Sequence, residues 1–317
     1  MKFEHTPVLF DETINLLNIR KNKIYVDGTL GGAGHSSEIL RRLEGTGLLI
    51  GIDQDKIALE ASEKRLSKIN QNYKLFHNNY GNFEDVLNSL DIDKVDGILL
   101  DLGVSSYQFD QGDRGFSYKY DGPLDMRMDD SMEISAKDIV NDYSKEDLTR
   151  IFRQYGEEKW SQRIAEFIVE KRNEKKIETT FELVDIIKAA IPMKFRAKGP
   201  HPAKRVFQAL RIETNNEIGV LRKSLGKMIE RLNVGGRICV ISFHSLEDRI
   251  VKETFKYYYL DCICPPEMPY CNCDKKREIE IITRKPIVAS KEELEENNRA
   301  HSAKLRCAEK IGDSHEG

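Results

Sequence analysis

Over the first hundred residues, short apolar runs alternate with stretches whose apolar positions recur at helical spacing. Ile24-Tyr25-Val26 ends in Asp27, Leu48 to Ile52 ends in Asp53, Tyr73 to Phe76 leads into a loop at His77, and Val95 to Leu100 ends in Asp101. Between these runs, His35 to Leu43, Lys56 to Ile69 (apolar at Ile57, Leu59, Ala61, Leu66 and Ile69) and Phe83 to Leu90 have helical periodicity. An amphipathic stretch, Asp11 to Leu17, precedes them and predicts a helix that caps the sheet. Strands that alternate with helices imply right-handed crossovers and a parallel sheet, so the fold class is α/β. The alternation stops at Leu102. Residues 102–130 read as a loop with four glycines and a proline, though its aromatics argue against disorder. From Ile134 to about Ala197 the pattern is wholly helical: Ser144 caps one helix, Gln162 to Asn173 and Thr180 to Ile191 form others, and Pro192 ends the last. Ala203 to Leu232 then predicts one long helix, Asn233 to Gly236 a turn, Arg237 to Phe243 a fifth strand, and Ser245 the cap of another helix. Glu278 to Thr283 and Ala303 to Ala308 read as strands near the end. The expected organisation is a sheet domain over 1–106 and 201–317, interrupted by a helical insertion over 107–200.

The stretch from Lys23 to Asp53 carries the first chemistry. After the first strand, Gly28, Gly31, Gly32 and Gly34 crowd into a turn that opens a helix, and the second strand ends in an acid. Such a loop lets backbone amides approach a ligand at a helix start, where the partial charge is positive. An acid at the end of the second strand accepts hydrogen bonds from ribose hydroxyls. Two cofactors fit, a dinucleotide or S-adenosylmethionine. No clean G-x-G-x-x-G is present, and Asp27 stands directly before the loop, where it would repel a pyrophosphate and attract the ammonium of a methionine. Asp27, Asp53, Tyr80 and Asp101 all fall at or just past strand ends, the edge where open α/β sheets bind ligands.

Net charge is −3 and the pI is near 6.2, so any nucleic-acid surface must be local. No apolar signal region follows Met1 and no run is long enough to span a membrane; a cytoplasmic protein is the expectation. Of six cysteines, four form C-x-C-x6-C-x-C: Cys262, Cys264, Cys271 and Cys273. Four thiols about a proline-rich turn suit a tetrahedral structural zinc, with free thiols or redox-active disulfides as the alternatives.

Motifs spread over nearly the whole chain carry a resemblance. They are His5-Thr6-Pro7-Val8-Leu9, the Asp27 to His35 loop, Ile98 to Ser106, Arg114-Gly115-Phe116-Ser117, Asp121 to Asp129, Tyr155-Gly156-Glu157-Glu158, His201-Pro202-Ala203, Ile241 to Arg249 and Ala303-Lys304-Leu305-Arg306. In this order they resemble the bacterial 16S ribosomal RNA (cytosine-N4)-methyltransferases, the RsmH or MraW family. The resemblance implies a class I S-adenosylmethionine-dependent methyltransferase fold (Rossmann-like, mostly parallel sheet) with an inserted all-helical substrate domain. It implies methyl transfer to the exocyclic N4 of one cytidine in the decoding region of small-subunit rRNA. The family's cofactor positions map onto Ala33, Gly34, His35, Asp53, Tyr80, Asp101 and Gln108; Gln108 rests on the resemblance alone.

Cytosine N4 is a poor nucleophile because its lone pair is delocalised, so acceptors for its N–H bonds are needed near the methyl donor. Asp101 is followed by Leu-Gly-Val-Ser-Ser in place of the Asp/Asn-Pro-Pro-aromatic motif of many amino-methyltransferases. The acceptor therefore stays open among Asp101, Asp125 and His244, with a salt-bridged loop as the rival reading of Asp125 and Arg127. For RNA, the basic stretch Lys194, Arg196, Lys198, Lys204 and Arg205 is the candidate surface, with a solvated linker as its rival. The expected partner is 16S rRNA within the small ribosomal subunit; a homodimer stays open. Two rival functions remain, a dinucleotide-dependent oxidoreductase and a non-catalytic RNA-binding ribosome-assembly factor.

Overall fold

In the computed structural model, which describes residues 7–103, 112–196, 201–265, 267–268 and 270–312, the chain forms two compact units. One comprises Met1–Gly103 with Gly219–Gly317, the other Val104–Ile218.

The first unit begins with α1 (Phe10–Leu17), which buries Thr13, Ile14 and Leu17. Then follow β1 (Ile24–Asp27), α2 (Gly34–Arg42), β2 (Leu48–Asp53), α3 (Lys56–Leu66), β3 (Tyr73–His77), α4 (Phe83–Ser89) and β4 (Val95–Asp101). These are the elements that apolar patterning predicts, with ends displaced by a few residues. Tyr25, Val26, Leu49, Ile50, Ile52 and Ile98 to Leu100 are each at most 1% exposed. Continuous burial of this kind is what a parallel sheet covered on both faces requires.

The second unit contains α5 (Ala136–Asp142), α6 (Lys145–Gln154), α7 (Ser161–Glu174), α8 (Thr180–Ala190), α9 (Met193–Arg196) and α10 (Lys204–Asn215). Hydroxyl caps set the starts of α5, α6 and α8: Ser135, Ser144 and Thr179 accept from the third helical amide, and Ser135 and Thr179 complete capping boxes with Asp138 and Glu182. Ile139, Leu148, Ile151, Phe152, Ile164, Leu183 and Ile187 form its core. Phe116, Leu124, Met126 and Met128, from the loop before α5, join that core. The loop's stretch from Arg114 to Met128 is tied down by specific bonds. Buried Asn215 donates to the Met126 carbonyl (2.8 Å) and accepts from the Met128 amide (2.8 Å), while Arg114 donates to the carbonyls of Arg127 and Met128.

The first unit resumes through α11 (Glu217–Glu230), β5 (Leu232–Ser242), α12 (Ser245–Tyr259), β6 (Ile279–Ile281), α13 (Lys291–Glu296) and β7 (Lys304–Lys310). The strands form one sheet in the order β3-β2-β1-β4-β5-β7-β6. β1 to β5 are parallel neighbours, and β7 runs antiparallel to both β5 and β6. This mostly parallel arrangement is the Rossmann-like class I methyltransferase fold.

Three expectations need correction. The long helix from Ala203 to Leu232 is two helices, because Asn216 adopts a left-handed conformation (φ 48°) that an Asn side chain tolerates. The first of them, α10, buries Val206, Phe207 and Leu210 in the core of the unit that spans Val104–Ile218; residues 106, 107 and 200, at the ends of the expected insertion, lie outside the described residues. The turn at Asn233 to Gly236 is an irregularity inside β5: pairing with β4 jumps from Val95↔Leu232 to Gly97↔Arg237, with Gly235 at φ 77°. Third, the residue capping α12 is His244, and Ser245 is its first helical residue.

The turn into β2 depends on one glycine. Gly47 has φ 70°, and a Cβ there would lie 2.2 Å from the Lys23 carbonyl oxygen. Gly47→Val should destabilise the fold by about 3 kcal/mol, from left-handed strain plus the clash. A denaturant midpoint equal to that of the unsubstituted chain would contradict this.

Candidate active site

β1, β2 and β4 end in Asp27, Asp53 and Asp101, and register pairs Asp27 with Gly51 on one side and Leu99 on the other. The strand order reverses between β1 and β4, the switch point where open α/β sheets bind ligands. Four bonds stitch the glycine loop across this edge. The Gly28 amide donates to the Leu99 carbonyl (2.9 Å) and the Leu30 amide to Ile52 (3.1 Å); Ser62 Oγ and Arg65 donate to the carbonyls of Gly31 (2.9 Å) and Gly32 (3.0 Å). Ala33 adopts φ 55° as the N-cap of α2 and makes no side-chain cap bond, so the first-turn amides of Gly34 and His35 sit at a helix start without one.

The acids have distinct roles. Asp27 is 2% exposed and faces into the loop: it accepts from the Thr29 amide (3.1 Å) and Ser36 Oγ (2.6 Å). Burial pushes its carboxyl up to about 6. Asp53 accepts from the Gly31 amide (2.7 Å) and the Asp55 amide (2.8 Å), one on each oxygen, leaving each oxygen a second lone pair; burial raises it to about 6. Asp101 is held by its own backbone, whose amide donates to Thr29 Oγ1 (2.6 Å). Its Oδ2 lies 3.9 Å from His35 Nδ1, and its Oδ1 is buried with no hydrogen-bond partner among the described residues. Burial first, then the negative charge of Asp27, raises it to about 7.

His35 is 5% exposed, stacks on Phe10 (5.7 Å) and has no partner for Nε2 among the described residues. Burial lowers it to about 4, so it is neutral at physiological pH. Tyr80 opens a single 3-10 turn after β3, and its Cβ lies 3.2 Å from where a side chain on Gly28 would begin.

The other candidates are engaged elsewhere. Asp125 is bound through both oxygens to Arg127 (2.8 and 2.7 Å), the salt-bridged loop that the sequence offered as the rival reading, and the pair holds its carboxyl below the usual range. His244 caps α12 and lies 3.0 Å from Glu247. In the helical unit, Lys194, Lys204 and Arg205 are exposed, and Lys194 sits over the half-exposed Phe195 ring (5.0 Å). Arg196 donates to the Ile191 carbonyl (2.6 Å) and Arg205 to that of Glu157 (3.2 Å). Gln108 and Lys198 lie outside the described residues. Cys262, Cys264, Cys271 and Cys273 converge, with all four sulfurs within 4.8 Å of one another. Thr29, Ser36, Ser62 and Arg65 escaped the sequence reading. The two hydroxyls beside the loop acids were visible as such, but nothing local marks Arg65.

The family profile described as the MraW methylase family matches residues 2–311. The chain belongs to this family. Ribosomal RNA small subunit methyltransferase H from Clostridioides difficile is 56% identical over 98% of this chain and 100% of its own. The proteins of the same description from Acetivibrio thermocellus and Lachnospira eligens are 58% and 57% identical, over 98% of this chain and 100% and 99% of theirs. Among solved structures, a putative rRNA-methylase from Clostridium thermocellum aligns over 98% of this chain and 100% of its own at 12% identity and TM-score 0.45; the fold assignment rests on strand order. As an MraW methylase the chain is an S-adenosylmethionine-dependent methyltransferase, which sets aside the oxidoreductase reading.

Proposed function

We propose that the chain methylates the exocyclic N4 of one cytidine in the decoding region of 16S rRNA, with Asp101 as the acceptor that orients the amine. The observation that carries this is the unpartnered, buried Oδ1 of Asp101 at the switch point of the sheet. S-adenosylmethionine supplies an electrophilic methyl on a positively charged sulfonium. Asp53 is placed to take the two ribose hydroxyls on its remaining lone pairs. The first-turn amides at Gly34 and His35 suit the methionine carboxylate. Asp27 holds the loop through Thr29 and Ser36 and lends its charge to the ammonium side, while Tyr80 flanks the loop. An N–H of the cytosine amine bonded to Asp101 Oδ1 turns the N4 lone pair away from the ring, and the carboxylate stabilises the positive charge that grows there. The methylated amine then loses its proton readily, so no separate base is required. Asp125, held by Arg127, and His244, the cap of α12, take no part in this scheme. Gln108 is carried by the family resemblance alone.

The helical unit is proposed as the substrate domain. Lys194, Lys204 and Arg205, interleaved with the exposed Phe195, suit phosphates and an unstacked base. Arg196 commits its Nε donor to the Ile191 carbonyl and adds the charge of its guanidinium. The substrate inside an assembled small subunit fits a chain of net charge −3 better than free RNA does, and places the enzyme in the cytoplasm. No described helix is long and apolar enough to cross a membrane.

Cofactor binding should depend on pH with a definite sign. Ligand-free Asp27, Asp53 and Asp101 hold protons up to about 6, 6 and 7. A cationic ligand requires them ionised, so affinity for S-adenosylmethionine should rise roughly tenfold or more from about pH 5.5 to about pH 8, with proton release on binding at the lower pH. Calorimetric titration in buffers of different ionisation enthalpy measures both. Affinity flat across that range, or tight binding of a nicotinamide dinucleotide instead, would overturn the site assignment.

A further inference from the structure

Between α12 and β6 the chain makes an excursion, residues 260–278, that the proposed mechanism does not call on. Its base is fastened without help from the cysteines. The Glu278 amide donates to the Tyr258 carbonyl (2.9 Å), the Lys275 ammonium sits over the rings of Tyr257 and Tyr258 (5.1 and 5.5 Å), and the Arg277 guanidinium lies over Tyr259 (4.1 Å).

The tip has little else to order it. Its larger apolar side chains face solvent: Ile263 is 50% exposed, Met268 40% and Tyr270 83%. From 261 to 274 the backbone–backbone hydrogen bond seen among the described residues runs from the Met268 amide to the Pro265 carbonyl (3.0 Å). A loop with exposed apolar residues and so few internal bonds has no core from which to draw its shape. Yet four sulfurs converge at its centre. Cys262 Sγ lies 3.4 Å from Cys271 and 3.8 Å from Cys273, and Cys271 lies 3.9 Å from Cys264 and 3.5 Å from Cys273.

Tetrahedral zinc with bonds of about 2.3 Å to four thiolates places its sulfurs about 3.8 Å apart on every edge. The observed separations bracket that value. A disulfide would draw two sulfurs to about 2.05 Å and has no use for the other two at equal range; all six cysteines are free. Backbone amides also point at the sulfurs: Cys264 N–H donates to Cys262 Sγ (3.4 Å) and Ile263 N–H to Cys273 Sγ (3.5 Å). Such donors spread the negative charge that a four-thiolate metal site carries.

We propose that Cys262, Cys264, Cys271 and Cys273 bind one zinc ion in a closed, structural site that shapes this loop. Four protein ligands leave no open position for water or substrate, so the metal staples the loop and takes no part in the reaction. Binding releases the thiol protons, so the site loads less well in acid.

The test uses the full-length, untagged chain, purified under reducing conditions from cells supplied with zinc. Elemental analysis should give about one zinc per chain. Cobalt(II) replacing it should show the intense visible bands of a tetrahedral thiolate complex and the sulfur-to-metal charge-transfer band in the near ultraviolet. Cys271→Ser/Cys273→Ser should lose the metal and both signatures. Because the base of the loop is fastened independently, this variant should keep affinity for S-adenosylmethionine within about twofold and become prone to proteolysis between 261 and 274. Should the variant fail to fold, stripping the unsubstituted chain with a chelator and refilling it with cobalt reads the same coordination. A chain isolated without metal that takes up no cobalt into a thiolate site would overturn the proposal. So would cobalt bands typical of octahedral oxygen ligation, or disulfides among the four cysteines in the reduced preparation.

Discussion

Asp101→Asn should slow methyl transfer by about 10²- to 10³-fold at saturating cofactor, the scale of removing one preorganised electrostatic partner from a transition state. The substitution keeps the shape of the side chain and the amide bond to Thr29 Oγ1, which belongs to the backbone. It removes the charge that faces the amine as N4 becomes positive. The same variant should make the ligand-free protein more stable at about pH 8. Asp101 titrates near 7 when folded, against an ordinary value of 3.8, so the folded state holds more protons than the unfolded chain between those values. Stability therefore falls as pH rises through that window, and replacing the carboxyl with an amide removes the loss. Single-turnover rates and thermal unfolding at about pH 5 and pH 8 read the two effects separately. An Asn variant that transfers methyl at the unsubstituted rate would exclude Asp101 as the acceptor. One that is slow because it is unfolded would show lowered stability instead of raised.

Asp53→Ala should weaken cofactor binding by about 10²- to 10⁴-fold. Hydrogen bonds to a charged acceptor contribute about 1.5–3 kcal/mol each, and two ribose hydroxyls would be lost together. The substitution also strips the acceptors from the Gly31 and Asp55 amides, which loosens the loop. Cofactor analogues separate the two causes. If Asp53 takes the ribose, analogues lacking the 2′- or 3′-hydroxyl should bind weakly to the unsubstituted chain, and Asp53→Ala should penalise them little further. Equal penalties on the cofactor and the deoxy analogues would mean that Asp53 acts on the loop alone.

The sequence was legible wherever a short-range pattern suffices. Strand runs ending in Asp27, Asp53 and Asp101 reported both the parallel sheet and the edge where these acids gather, because continuous burial and strand-end acids are local features. Asn216 was not legible: helical apolar spacing continues on both sides of it, and one left-handed residue leaves no trace in periodicity. Nor could spacing say which core α10 would join, since an amphipathic face does not name its partner. The pairing of Asp125 with Arg127 was visible as an option two residues apart; only geometry shows both oxygens occupied. Thr29 and Arg65 reach the site across 72 and 33 residues, distances at which a single sequence carries no contact information.

The most direct measurement offers the purified chain radiolabelled S-adenosylmethionine with small ribosomal subunits from cells lacking this gene, and with naked 16S rRNA beside them. Nucleoside analysis and mapping of the label then identify the product. Label in N4-methylcytidine at a single decoding-region position, far greater on the subunit than on naked RNA and lost with Asp101→Asn, is the expected result. Label on another atom or in another RNA, or tight cofactor binding with no transfer to either substrate, would contradict the assignment.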